Sequence, residues 1–210
     1  MKVIDPETWP RRPHFEHFRT YQMPWFHLAA RVQVGPLVRW ARSEHVSVAR
    51  TLVWAVAAAA NRVPELRQRI RGEDVVEHEV VHPSFTILRK DGTFTGCPAS
   101  FDPDLRAFLA ASAEAVEARR VGAFVLAGPE DDRRLYLTSL PWLDLAMLVH
   151  PFRGDANDCV PRIAWGRLTR NGDATDVSVG LTAHHALVDG LHAARFYAAL
   201  EAIAADVTAA

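Results

Sequence analysis

Residues Asp173–Tyr197 read DATDVSVGLTAHHALVDGLHAARFY. Asp173 to His184 is rich in β-branched and small residues and reads as a strand. It closes on two histidines. Asp189 and Gly190 follow, and Asp189 to Ala205 then reads as a helix. Upstream, Cys159 to Thr169 is a second strand candidate. Asn171-Gly172 between the two is a strong hairpin turn. Elsewhere, too, strand runs interleave with helices. The pattern predicts an α/β protein, a two-layer sandwich with a mixed β-sheet, in one domain spanning residues 1–210.

Working outward, Ser47 to Arg62 is the clearest helix. Ser47 is a suitable N-cap, and apolar residues cover nearly every face, as in a buried helix. Met23 to Val34 reads as a strand ended by Gly35 and Pro36, and Pro36 to Glu44 as a short helix. Trp9 to Phe18 has roughly helical spacing. Asp74 to Leu88 reads as two strands broken at His82-Pro83. Asp91-Gly92 then signals a hairpin into Thr93 to Thr95. Asp102 to Arg120 is a helix capped by Asp102, with Pro103 in its first turn. Val121 to Arg134 is a loop holding Gly128-Pro129 and an acidic run. Arg134 to His150 holds two apolar strand candidates separated at Pro141.

The 210 residues carry 24 Lys+Arg against 25 Asp+Glu, a formal charge of -1. No net basic field favours nucleic acid or an anionic membrane. Only Lys2 and Lys90 are lysine, so the arginine excess is a compositional bias and not a phosphate-binding feature. Cys97 and Cys159 form neither a disulfide framework nor a zinc set, which predicts free thiols in a reducing cytoplasm. The opening MKVIDPETWPRRPHFEHF has no apolar core of a secretory leader, and no apolar run is long enough to span a bilayer.

The chemistry lies in His184-His185-Ala186-Leu187-Val188-Asp189-Gly190. An imidazole at a strand end suits general base catalysis of acyl transfer, because it can take a proton from a hydroxyl or amine near neutral pH. An aspartate one turn away can organise the loop. The bland reading is two structural histidines with Asp189 capping the last helix. Adjacent strand residues point to opposite faces, so His184 reads as structural. The pair is equally unsuited to chelating one metal ion, and no metal is expected.

His184 to His192 (HHALVDGLH) resembles the signature of the chloramphenicol acetyltransferases. Trp9 to Glu16 (WPRRPHFE) is similar to that family's Trp-x-Arg-Arg-x-x-Phe opening. Phe85-Thr86 with Thr93-Phe94 resembles a mid-chain family segment, and Thr138 to Trp142 (TSLPW) its Ser-x-x-Pro-Trp segment. These matches run in the family's order from end to end of the chain. The resemblance implies a homotrimer with sites at subunit interfaces, acetyl-CoA as co-substrate, and a small-molecule acceptor. It casts His185 as the general base and Thr138 as the hydroxyl that stabilises the oxyanion of a tetrahedral intermediate, with no acyl-enzyme. Asp189 and Arg11 match the family's buried ion pair. Phe18, Met23, Trp25, Phe94 and Arg162 fall where the acceptor pocket is lined.

The chain also departs from the family. Thr182 replaces a Gln, Leu191 an aromatic residue, and Ala164 a threonine. Trp25 replaces a small residue and Arg162 an apolar one, which predicts a smaller, more charged acceptor pocket. Other acceptors, other acyl donors and a non-catalytic binding protein of the same fold therefore stand as alternatives. The dihydrolipoamide acyltransferases share the His-x-x-x-Asp-Gly turn. They lack the Trp-x-Arg-Arg opening and carry an Asp where this chain has His184.

Overall fold

The computed structural model describes residues 1–126, 131–152 and 154–207. The elements in order are β1 (Lys2–Val3), α1 (Arg12–Phe18), β2 (Trp25–Gln33), α2 (Gly35–Ser43) and α3 (Val48–Asn61). A 3₁₀ turn (Pro64–Arg67) leads to β3 (Gln68–Arg71), β4 (Asp74–Glu77), β5 (His82–Leu88), β6 (Phe94–Pro98) and α4 (Leu105–Val121). The chain ends with β7 (Arg134–Ser139), β8 (Arg162–Trp165), β9 (Thr169–Asn171), β10 (Ala174–His184) and α5 (Gly190–Ala205).

The main sheet has the order β2-β10-β8-β7-β5-β6, with β9 pairing β10. β7 runs parallel to both β5 and β8, and the other pairings are antiparallel. The sheet is therefore mixed, as the interleaving of strands and helices predicts. β1, β4 and β3 form a small separate antiparallel sheet. Among the described residues, no helix is long and apolar enough to cross a membrane.

Local chemistry explains the helices. Ser47 Oγ accepts from the Arg50 amide, and Thr51 to Ala60 of α3 are buried on all sides. This all-round apolar helix contributes to a single core with residues of α2, α4, α5 and the main sheet. Asp91 accepts from the Thr93 amide, and Gly92 takes the left-handed φ of 80° that turns β5 into β6. Gly172 does the same at φ 61° between β9 and β10.

Several boundaries differ from the sequence reading. The cap of α4 is Asp104, not Asp102: Asp104 Oδ1 accepts from the Arg106 and Ala107 amides. The break expected at His82-Pro83 comes earlier, since β4 ends at Glu77 and β5 begins at His82. Pro83 is tolerated near the start of β5, where a missing N–H leaves little of the ladder unpaired. Its carbonyl still accepts from the Ala99 amide at 2.9 Å. The second strand expected after Pro141 does not form. β7 already has β5 and β8 on its two sides, so that segment cannot pair back onto it. β8 is shorter than predicted, and β3 and the 3₁₀ turn carried no sequence signal that was read. The Gly128-Pro129 turn lies outside the described residues.

Residues 143–145 pass directly over Gly166, just beyond β8. A Cβ there would lie 2.6 Å from Leu145 Cβ and 2.7 Å from the Leu143 carbonyl oxygen. Gly166→Ala is expected to cost about 1–3 kcal/mol through overpacking. Urea unfolding measures this.

Candidate active site

The site is built where β10 ends. The β2 pairing carries β10 as far as His184, opposite Trp25. The chain then turns through 185–189 into α5. Asp189 ends the turn as the helix N-cap, its Oδ1 accepting from the Leu191 and His192 amides. Its other oxygen pairs with Arg11 Nη1. Arg11 Nε donates to the Ala186 carbonyl at 3.1 Å and Nη2 to the His185 carbonyl at 2.7 Å. One nearly buried guanidinium thus holds the whole turn. Asp189 serves both the capping reading and the ion-pair reading, because its two oxygens have different partners.

His185 Nδ1 lies 3.0 Å from the Val188 carbonyl oxygen. A carbonyl only accepts, so Nδ1 carries the proton and Nε2 is left with its lone pair. The ring is stacked on Phe18, with centroids 4.1 Å apart and planes at 24°, and is flanked by Phe26 at 4.9 Å. These rings fix its plane. His184 points the other way and is buried. Its Nε2–H donates to the Ala156 carbonyl at 2.8 Å, and its Nδ1 accepts from the Ala186 amide. Burial pushes His184 below the ordinary imidazole value. It is structural, as strand alternation predicts.

The other expected residues are dispersed. Thr138 is on β7, opposite Ala164 of β8, which in turn lies opposite Gly180 of β10. His185 is five residues beyond Gly180 and two strands away, which separates it from Thr138 by about 15–20 Å within one chain. Met23 is 77% exposed and Phe94 52% exposed. Trp25 and Arg162 come together instead. Both rest on Phe152, the Trp25 ring centroid at 3.9 Å and the guanidinium at 4.0 Å. Asp158 binds both, accepting from Trp25 Nε1 through its backbone oxygen at 2.6 Å and from Arg162 through both carboxylate oxygens. The charge expected to enter the acceptor pocket with Arg162 is therefore balanced inside the chain.

A cavity of about 250 Å³ adjoins the end of β7. Val53, Phe85 and Trp165 line it, with Arg50, Arg120 and Ser139. It offers apolar walls for a thin chain and guanidinium groups for an anion.

The family model described as chloramphenicol acetyltransferase matches residues 1–201. The chain belongs to the chloramphenicol acetyltransferase family. A relative from Streptomyces acrimycini, named chloramphenicol acetyltransferase, is 30% identical over 206 residues, covering 97% of this chain and 94% of its own. Chloramphenicol acetyltransferase 2 of Escherichia coli is 26% identical over 200 residues, covering 94% of each chain. A solved chloramphenicol acetyltransferase superposes with a TM-score of 0.89 at 24% identity, covering 96% of this chain and 98% of its own. A truncated catalytic core of the 2-oxoacid dehydrogenase multienzyme complex from Thermoplasma acidophilum gives 0.68 at 16% identity over 98% of this chain and 99% of its own. At these identities the superpositions show the shared fold.

The chloramphenicol acetyltransferase motifs found in the sequence did not include Phe26, Phe152, Asp158 or His150. Phe152, Asp158 and His150 lie in irregular chain, where no periodicity marks them. Both ring nitrogens of His150 are buried without a hydrogen-bond partner among the described residues. Burial, helped by Arg162 and His27, pushes it down to about 4. Thr182, in place of the family's Gln, shares a 2.8 Å hydrogen bond with His27 Nδ1.

The clamp gives two measurable expectations. Arg11→Ala leaves the His185 and Ala186 carbonyls and Asp189 Oδ2 without their donor. The Asp189 side chain is 31% exposed, so the loss should fall at the low end of the range for a broken buried pair, about 3 kcal/mol in urea unfolding. Burial acts to raise the Asp189 carboxyl, but hydrogen bonding to Arg11 and the nearby His192 and Arg11 charges outweigh it and hold it below the usual range. Its stabilisation is therefore complete above about pH 3.9 and is lost as the pH falls through the lower folded value. Asp189→Asn should flatten that part of the stability–pH curve.

Proposed function

We propose that the protein transfers the acetyl group of acetyl-CoA to a hydroxyl of chloramphenicol, and that it does so as a cytoplasmic resistance enzyme. The single observation that carries the mechanism is the hydrogen bond from His185 Nδ1 to the Val188 carbonyl. It keeps the proton on Nδ1 and the lone pair on Nε2, the state a general base needs. Nε2 takes the acceptor's hydroxyl proton and later returns it to the departing sulfur. Phe18 and Phe26 hold the ring so that little orientation is lost during proton transfer. Acetyl-CoA supplies the activated carbonyl. The cavity lined by Arg50, Arg120, Phe85 and Trp165 fits its long thin arm and phosphates. Thr138 donates a hydrogen bond from its hydroxyl to the oxygen on which negative charge develops. No metal takes part in this reading, and neither a nucleic acid nor a membrane is a partner.

The separation of Thr138 from His185 supports a homotrimer in which His185 of one copy meets Thr138 of a neighbour. Exposed apolar side chains support it too. Trp142 is 63% exposed, and Leu143, Met147 and Val149 are exposed on the same segment. Such a run of apolar surface is what a subunit contact covers. In this assembly Phe18, Met23, Trp25, Phe94 and Arg162 line the acceptor pocket, and residues 1–210 form one acyltransferase domain of two layers. The neutralised Arg162 removes the main electrostatic objection to chloramphenicol as acceptor.

With acetyl-CoA and chloramphenicol present, the wild type should release free thiol. His185→Ala should lower kcat by about 10²–10⁴-fold while leaving the assembly intact. Thiol release unchanged in His185→Ala would refute the mechanism. Light scattering should give three times the 23.4 kDa chain mass. A stable monomer that turns over would sink the interfacial site.

A further inference from the structure

The Arg11 clamp holds the 185–189 turn from one side. A second group holds it from the other, and the mechanism above leaves it unused. His192 is the third residue of α5. Its Nδ1 accepts the Asp189 amide N–H at 3.1 Å. Asp189 Oδ1 also lies 3.1 Å from Nδ1, but that oxygen already accepts from the Leu191 and His192 amides. With Nδ1 accepting the Asp189 amide, the ring proton sits on Nε2, which faces Glu65 Oε1 of the 3₁₀ turn at 3.5 Å. The other oxygen of Glu65 is buried and has no hydrogen-bond partner among the described residues. At 3.5 Å the pair is an electrostatic contact, and the Glu65 carboxylate draws the ring proton to the nitrogen that faces it, so Glu65 selects this tautomer of His192. A cavity of about 580 Å³ beside the pair is also lined by Trp9, Arg11, His14 and Asp189.

The Asp189 N–H and the Val188 carbonyl are the two ends of one peptide group. That group is planar and rotates as a unit. His192 Nδ1 grips its N–H end, and His185 Nδ1–H grips its carbonyl end. We infer that His192, with its tautomer set by Glu65, is a positioning residue for His185, acting through the Val188–Asp189 peptide plane. The two imidazoles and the peptide form a relay in which each hydrogen bond polarises the next. Loss of the acceptor at His192 frees the peptide to tilt, and the His185 Nδ1–H loses its fixed partner.

The inference rests on His185 as the reacting imidazole, and its test separates the two. Selective ¹⁵N-histidine labelling reads the tautomer of His185 without any turnover, and His185→Ala assigns the signals. The wild type should show His185 protonated at Nδ1 alone. His192→Leu should show mixed tautomers. Its kcat should fall about tenfold, the equivalent of a lost cap, with KM for acetyl-CoA unchanged. His192→Gln keeps an acceptor oxygen and should restore both readings. A single Nδ1-protonated tautomer with wild-type kcat in His192→Leu overturns the inference, as does an equal loss in His192→Gln and His192→Leu. Should His192→Leu fail to fold, Glu65→Met frees the His192 tautomer while leaving the ring in place. It should also mix the His185 tautomers, and an unchanged spectrum overturns the inference. Full turnover in His185→Ala would instead refute His185 as the general base, with the relay still visible in the wild-type spectrum.

Discussion

The active loop depends on one guanidinium. Arg11 stands at the entrance to α1, far from residues 185–189 in sequence, and it supplies donors to two consecutive carbonyls and to Asp189. Those carbonyls sit where the chain leaves β10, beyond the reach of the sheet's own hydrogen bonds. Without a donor they would be buried and unpaired, which costs far more than the bond itself contributes. This contact joins the N-terminal segment to the loop that carries His185 and to the residue that caps α5.

The histidines show how position decides chemistry. His184 and His185 are neighbours in sequence on opposite faces. One is buried, bonded at both nitrogens and inert. The other keeps one nitrogen free between two aromatic rings. His150 is buried, without a hydrogen-bond partner among the described residues, and burial keeps it neutral across the physiological range. The same side chain thus becomes a strut, a candidate base or an unassigned polar group according to its partners. The Trp25–Phe152–Arg162 stack makes a parallel point for charge, because an arginine that looks disruptive by sequence has its charge balanced by Asp158.

Much of this was legible in the sequence. The buried helix after Ser47, the hairpins at Asp91-Gly92 and Asn171-Gly172, and the β10–turn–α5 segment carry strong local signals, since caps, left-handed glycines and apolar periodicity act over a few residues. Boundaries at Asp104 and His82 were displaced. Neighbouring aspartates compete for one cap, and a proline at a strand start breaks less than its type suggests. The apolar segment after Pro141 did not form a strand against β7, its neighbour in sequence, because β7 already carries a strand on each side.

The sequence by itself determined the α/β class and the family and singled out His185, Asp189 and Arg11 as candidates, because each is carried by residue types at fixed short spacing or in ordered motifs. Only the tertiary structure decided the tautomers of His185 and His192, the counterion of Arg162, and the distance between Thr138 and His185. These depend on groups remote in sequence, such as the Val188 carbonyl, Glu65 and Asp158. Which atom faces which is fixed by how the sheet, the loops and the helices pack, and no local pattern encodes it.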